Sequence, residues 1–244
     1  MNSINDINGI IITGNARVGN NIVIINGNVV SGNSSYQTQK IDERKFQSAE
    51  NVESISVHSS VCNVNIFATD SPRIEAHLHG EASIDGKVDF DVNHHNKRLE
   101  IDLEYTGACF NGALSLDIAV PYKTFEMLSV QSASADITLD ESVSARFIKL
   151  NTKSGNLEIN SKFQRLEAST ASGDIDLCTY ANEDINIDIS SMSGNIEVEI
   201  ENARNMNVSA QTMSGHVRKR NKPTATGHNV HGKISTMSGT IIIR

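Results

Sequence analysis

The chain has 244 residues, with 29 acidic against 21 basic side chains and a net charge of −8. That balance argues against a nucleic-acid binder and against simple electrostatic attachment to anionic lipid. Trp is absent, aromatics are 5% and Pro numbers 3, so the core must be aliphatic and long strand ladders can run uninterrupted, because Pro cannot donate to them.

Residues 1–35 hold short apolar runs bounded by turn residues. In NNIVIINGNVVSG the pair Asn26-Gly27 sits between two such runs, which predicts a hairpin through a type I′ turn. Residues 1–45 therefore read as a strand-rich hairpin extension or cap, and 46–244 as a repeat domain. The polar stretch YQTQKIDERKFQSAE, 36–50, offers the best prospect of a short helix. From Val52 to Leu139 alternating runs follow one another, among them RIEAHLHGEASI, KVDFDVNHH, RLEIDLEYTGA and ALSLDIAVPY. They predict strands with one buried face.

A repeat then becomes plain. IKLNTKSGNLEI, LEASTASGDIDL, IDISSMSGNIEV, VSAQTMSGHVRK and GKISTMSGTIII align on Gly155, Gly173, Gly194, Gly215 and Gly239. LSVQSASADITL, with Ala135 in the Gly place, is an earlier copy. ISVHSSVCNVNI is a worn one, with Val61-Cys62 in the Ser-Gly place. Each unit alternates apolar and polar, breaks at the Gly, and alternates again. The Gly predicts a corner with positive φ. A unit of this size, 18 to 24 residues from one Gly place to the next, cannot bury its own apolar face, whereas stacked units can. The expected fold is all-β: a right-handed parallel β-solenoid with one unit per coil.

The columns of this alignment carry further expectations. Ser132, Thr152, Thr170, Ser191, Thr212 and Thr236 form one hydroxyl column; Ser134, Ser154, Ser172, Ser193, Ser214 and Ser238 form another. Strand parity points both inward, where they can bond the corner backbone. Between them lie Ala133, Lys153, Ala171, Met192, Met213 and Met237, pointing outward. The three methionines predict an exposed apolar stripe. The chain stops on TIIIR, which predicts an open, pairing-competent edge carrying Ile241 and Ile243. Met192, Met213, Met237, Ile241 and Ile243 are thus the expected partner surface, with homo-oligomerisation through the C-terminal edge as one outcome.

The segment ALSLDIAVPYKTFEMLSVQSASADITL, followed by SGNLEI, SGDIDL and SGNIEV, resembles a bacterial family of β-strand-repeat proteins of adhesin type, without agreed catalytic residues. Its relatives lie near cell-envelope stress genes. The resemblance covers about residues 46–244. It implies a non-enzymatic interaction or scaffold module that presents a repetitive β surface to a protein or glycan.

Motifs for chemistry are sparse. His77 and His79 share one face of a strand and His94-His95 follow, but spacing alone does not show the convergence a metal needs. They read as exposed or structural, and no cofactor is expected. Asp136, Asn156, Asp174 and Asn195 follow the corners, and Glu158, Asp176 and Glu197 form an outward acidic ladder. Paired carboxylates allow a glycan-active β-helix enzyme as the alternative; a regulatory accessory of envelope-stress signalling is another. The basic run HVRKRNK, 216–222, reads as a solvated turn. Cys62, Cys109 and Cys178 are an odd set without C-x-x-C, which suits a reducing compartment. MNSINDINGI lacks a basic start and an apolar stretch, and no apolar run reaches 18 residues. The expected location is cytoplasmic, or the cell envelope through a partner.

Overall fold

The computed structural model describes the backbone of residues 6–7, 10–11, 16–19, 22–25 and 28–32, and describes 38–108, 110–220 and 225–244 throughout. The chain divides into two compact units, Met1–Thr38 and Gln39–Arg244. In the first, β1 (Asp6–Ile7) pairs antiparallel with β2 (Ile10–Ile11). There β3 (Ala16–Gly19), β4 (Ile22–Ile25) and β5 (Asn28–Gly32) form an antiparallel sheet. Ile25 stands opposite Asn28, as a hairpin requires. The expected turn residues Asn26 and Gly27 lie outside the described residues.

No described residue of the second unit is helical. The stretch expected as a short helix is instead β6 (Thr38–Ser48). There follow β7 (Ser54–Ser59), β8 (Asn63–Thr69), β9 (Arg73–Ile84), β10 (Lys87–His95), β11 (Arg98–Thr106) and β12 (Phe110–Pro121). The repeats then supply β13 (Thr124–Ser134), β14 (Ile137–Leu139), β15 (Ser144–Ser154), β16 (Leu157–Ile159), β17 (Lys162–Ser172) and β18 (Ile175–Tyr180). The last six are β19 (Ile185–Ser193), β20 (Ile196–Glu201), β21 (Ala203–Ser214), β22 (Val217–Lys219), β23 (His228–Ser238) and β24 (Ile241–Ile243). β6 is the edge strand beside β9. Pairing with a neighbour, more than an apolar face of its own, holds it extended, and most of its side chains are exposed.

Two sheets face each other across one aliphatic core. Their strand orders are β10-β11-β7-β13-β15-β17-β19-β23-β21 and β22-β24-β20-β18-β16-β14-β8-β12-β9-β6. Each repeat contributes a long strand to the first sheet and a short one to the second, so it forms one coil. Neighbouring coils pair in parallel and in register, for example Ile137 with Leu157, Leu157 with Ile175, and Ile175 with Ile196. These columns are fully buried. At the far end β9 and β10 run antiparallel to β12 and β11. The fold is an all-β solenoid.

Coil order departs from chain order twice. The β11/β12 coil lies on one side of β7/β8, and the chain then crosses to place β13/β14 on the other. At the opposite end the chain leaves β20 through Asn202, at φ 60°, and skips one place. β21 and β22 form the terminal coil, and β23/β24 return to fill the place left between it and β19/β20. This corrects the expectation of an open edge at the C-terminus. Ile241 and Ile243 are 0% and 1% exposed, so they belong to the core and not to a partner surface. The reason lies in side-chain strength. Val230, Ile234, Ile241 and Ile243 suit an interior place, whereas the inward positions of β21 are filled more weakly, by Met206, Val208 and Ala210. At this end of the stack the open edges are β21 and β22, as β10 and β6 are at the other.

Candidate functional site

The corner of each coil is where the repeat places its recurring side chains. Gly155, Gly173, Gly194, Gly239 and Gly215 stack in that spatial order. A Cβ on each would run into a carbonyl oxygen of the coil beside it: Ala135, Gly155, Gly173, Gly194 and Gly239 in turn. Close backbone approach therefore demands glycine at these five places, whereas the earlier coils carry Ala135 and Cys62 there. Positive φ adds to it at Gly173, Gly215 and Gly239, at 156°, 156° and 150°.

The first hydroxyl column bonds these carbonyls. Thr152, Thr170, Ser191, Thr236 and Thr212 donate to Ala135, Gly155, Gly173, Gly194 and Gly239 at 3.1–3.3 Å. Ser132 does not: Ser59 already donates to the Cys62 carbonyl at 3.1 Å, and the buried Ser132 Oγ has no partner. The second column, Ser134 to Ser238, is exposed rather than inward, because the strand begins to turn one residue before the expected break.

Asn and Asp after the corner form a third ladder. Asn63, Asp136, Asn156, Asp174 and Asn195 each accept, through Oδ1, a backbone N–H from the next coil, ending at Thr240, over 2.6–3.2 Å. Glu158, Asp176 and Glu197 stand side by side outside them. Partial burial, then the charges of Glu197, Asp174 and Glu158, raise the Asp176 carboxyl above its usual range. Glu197 is held by Arg244 at 2.6 Å.

The methionine column faces outward, as parity predicts. In spatial order Met192, Met237 and Met213 are 57%, 50% and 82% exposed, on adjacent strands β19, β23 and β21. Strand spacing sets them about 4.8 Å apart. They run up to the terminal coil, where the core itself shows through: Val217, at the end of the column that includes Ile196 and Ile241, is 39% exposed. The basic run is not simply a turn, since Val217–Lys219 is strand β22, with Lys219 Nζ donating to the Val208 carbonyl at 2.7 Å. Asn221 and Lys222 lie outside the described residues.

The histidines divide. His228 and His231 sit on β23, in the opposite sheet from β9. His77 and His79 do converge with a carboxylate: their ring nitrogens and an Asp117 oxygen lie within 4.8 Å of one another. Spacing could suggest the shared face, but only the pairing of β9 with β12 brings Asp117 to it. Of the cysteines, Cys62 and Cys178 are free thiols. Burial pushes Cys62 up to about 11, against a lowering hydrogen bond with Ser59. Cys109 lies outside the described residues. No helix is long and apolar enough to cross a membrane among the described residues.

A stacked coil with a glycine corner, a hydroxyl on each corner carbonyl and an Asx ladder defines a β-solenoid repeat protein. The chain belongs to the Toastrack DUF4097 family, whose model matches residues 52–160 and 115–244. Solved structures share the fold. A "putative cell adhesion protein" from Clostridium sporogenes is 12% identical with a TM-score of 0.59, over 84% of this chain and 99% of that one. A "putative adhesin" from Bacteroides fragilis is 12% identical with a TM-score of 0.50, over 84% and 98%. No curated protein matches the chain.

Proposed function

We propose that the chain is a non-enzymatic binding module that presents its β surface to a protein partner. The observation that carries this reading is the exposed row Met192, Met237 and Met213 on three consecutive strands, ending at an open coil. Thioether side chains are apolar, unbranched and adaptable, which suits a contact surface, and contiguous exposed apolar groups mark interfaces more often than isolated ones do. The names of the structural neighbours agree with adhesion, and the cell envelope, reached through that partner, is the setting to test first. The corner hydroxyls and the Asx ladder hold coils together, which leaves the methionine row as the feature the fold itself does not need.

The test is capture from envelope and cytosolic fractions by the wild type and by a Met192→Ser/Met213→Ser/Met237→Ser variant of matched thermal midpoint. Any captured protein is then purified and its affinity measured directly. Binding weakened at least about tenfold in the variant, roughly 1.4 kcal/mol, supports the reading. Equal affinity removes the stripe from it, and cleavage of a glycan by the wild type overturns the non-enzymatic assignment.

A further inference from the structure

We propose that His77, His79 and Asp117, with Asp42, form a surface site for a divalent late transition cation of the zinc type. The four residues come from three neighbouring strands, β6, β9 and β12. Asp117 is registered against His77, and His79 follows two residues along the same face. The two imidazole centroids are 4.6 Å apart. His79 Nε2 lies 2.9 Å from Asp117 Oδ2, and His77 Nε2 lies 2.8 Å from Asp42 Oδ1.

These two contacts hold a proton where a metal would sit. Donors around tetrahedral zinc, at about 2.0–2.2 Å from the ion, stand roughly 3.3 Å from one another. The His79–Asp117 pair would therefore open by only about half an ångström; the other separations within the triad, all within 4.8 Å, would close, and Asp42, which touches only His77, would swing in as the fourth ligand. Each neutral imidazole would move its proton to Nδ1, so no net proton need be lost. The scaffold is paired sheet, and Asn65 Nδ2 donates to Asp117 Oδ1 at 2.8 Å, which leaves Oδ2 turned to the histidines. Such an outer contact orients a ligand. Two neutral nitrogens and two carboxylates balance a double positive charge. The mixture favours zinc-type ions over calcium or magnesium, which take mostly oxygen. Arg44, on the same strand as Asp42, pairs with Glu75 at 2.7 Å, while its charge and that of Lys40 still reach Asp42.

The site has a structural consequence. Asp42 is on the edge strand β6, most of whose side chains are exposed. A metal shared by Asp42, His77, His79 and Asp117 would clamp that edge to two inner strands. His58 and Asp102 form a comparable pair at 2.9 Å on the other sheet and serve as a control.

The full chain, freed of metal by chelator and dialysis, is titrated with Zn2+ in a calorimeter, and hydrogen exchange over 38–48 is followed with and without the ion. The expected result is about one equivalent bound, with slower exchange in β6. His77→Gln and His79→Gln should each weaken binding at least about tenfold and abolish the added protection, while His58→Gln leaves both unchanged. Thermal midpoints confirm folding, and Asp117→Asn stands in for either histidine variant that fails to fold. Absence of binding at about 0.1 mM Zn2+, near 5.5 kcal/mol, overturns the proposal, as does binding that survives both histidine variants. Wild-type binding and protection in Asp42→Asn would remove Asp42 from the site.

Discussion

The carbonyl oxygen of Gly173 fills the space that a side chain on Gly194 would need. Both atoms belong to backbone held by parallel ladders on either side, so neither can give way cheaply. Gly194→Ala should destabilise the chain by about 2–3 kcal/mol, the upper part of the range for single substitutions. Urea unfolding followed by circular dichroism measures it. A cost near that of a surface substitution would show that the corner relaxes freely.

The hydroxyl column makes an internal comparison available. Thr170 donates to the Gly155 carbonyl at 3.1 Å, whereas the buried Ser132 hydroxyl has no partner. Removing a made hydrogen bond costs about 1 kcal/mol, while removing an unsatisfied buried polar group is close to neutral or stabilising. Thr170→Val should therefore lower stability, and Ser132→Ala should leave it unchanged or raise it. The two free energies in the same denaturant decide the matter; a larger loss for Ser132→Ala contradicts the assignment of its hydroxyl.

Much of this architecture was legible in the sequence, and the limits have physical causes. The period-two alternation around Gly155 to Gly239 gives strands and corners, because burial on one face writes itself into composition. The outward methionines followed from parity and from Lys153, costly to bury, in the same column. Coil order did not, since a parallel strand such as Ile241–Ile243 reads the same at an edge or inside. Only the comparison of apolar strength between β21 and β23/β24 hints at which is interior. The helix expected near residues 36–50 failed because an edge strand is fixed by its neighbour's backbone, which local composition does not encode. The histidine cluster needed Asp117, distant in sequence, and β-sheet register supplied it.

Asp176 provides a pH-dependent test. Its carboxyl is raised by partial burial and by Glu197, Asp174 and Glu158, so the folded chain holds this proton more tightly than the unfolded one. Ionised Asp176 then weakens the fold at neutral pH, and the penalty fades as pH falls through the raised value. Like charges paired across strands cost roughly 0.2–1 kcal/mol. Asp176→Asn should stabilise the chain by about that amount at neutral pH, and the gain should vanish where the wild-type carboxyl is itself protonated. Thermal midpoints of both chains across the acid range measure the difference. A gain that persists unchanged to low pH would assign it to something other than charge.

The returning coil β23/β24 gives the sharpest prediction about assembly. Because it lies between β19/β20 and β21/β22, removing 225–244 takes away an interior layer and not an end. It uncovers Ile189, Ile196 and Val198, all buried in the complete chain, and leaves β21 and β22 without the strands they pair with. Residues 203–219 should then become protease-sensitive while 54–201 keeps its protection, since solenoid coils draw stability mainly from nearest neighbours. A peptide spanning 225–244, added in trans, should enter the vacated place and restore resistance, because its inward Val230, Ile234, Ile241 and Ile243 match the exposed column. Limited proteolysis read by mass spectrometry, with and without peptide, tests both steps. Continued protection of 203–219 in the truncated chain would mean that β21/β22 can dock directly on β19/β20, and that the inserted coil is dispensable to the stack.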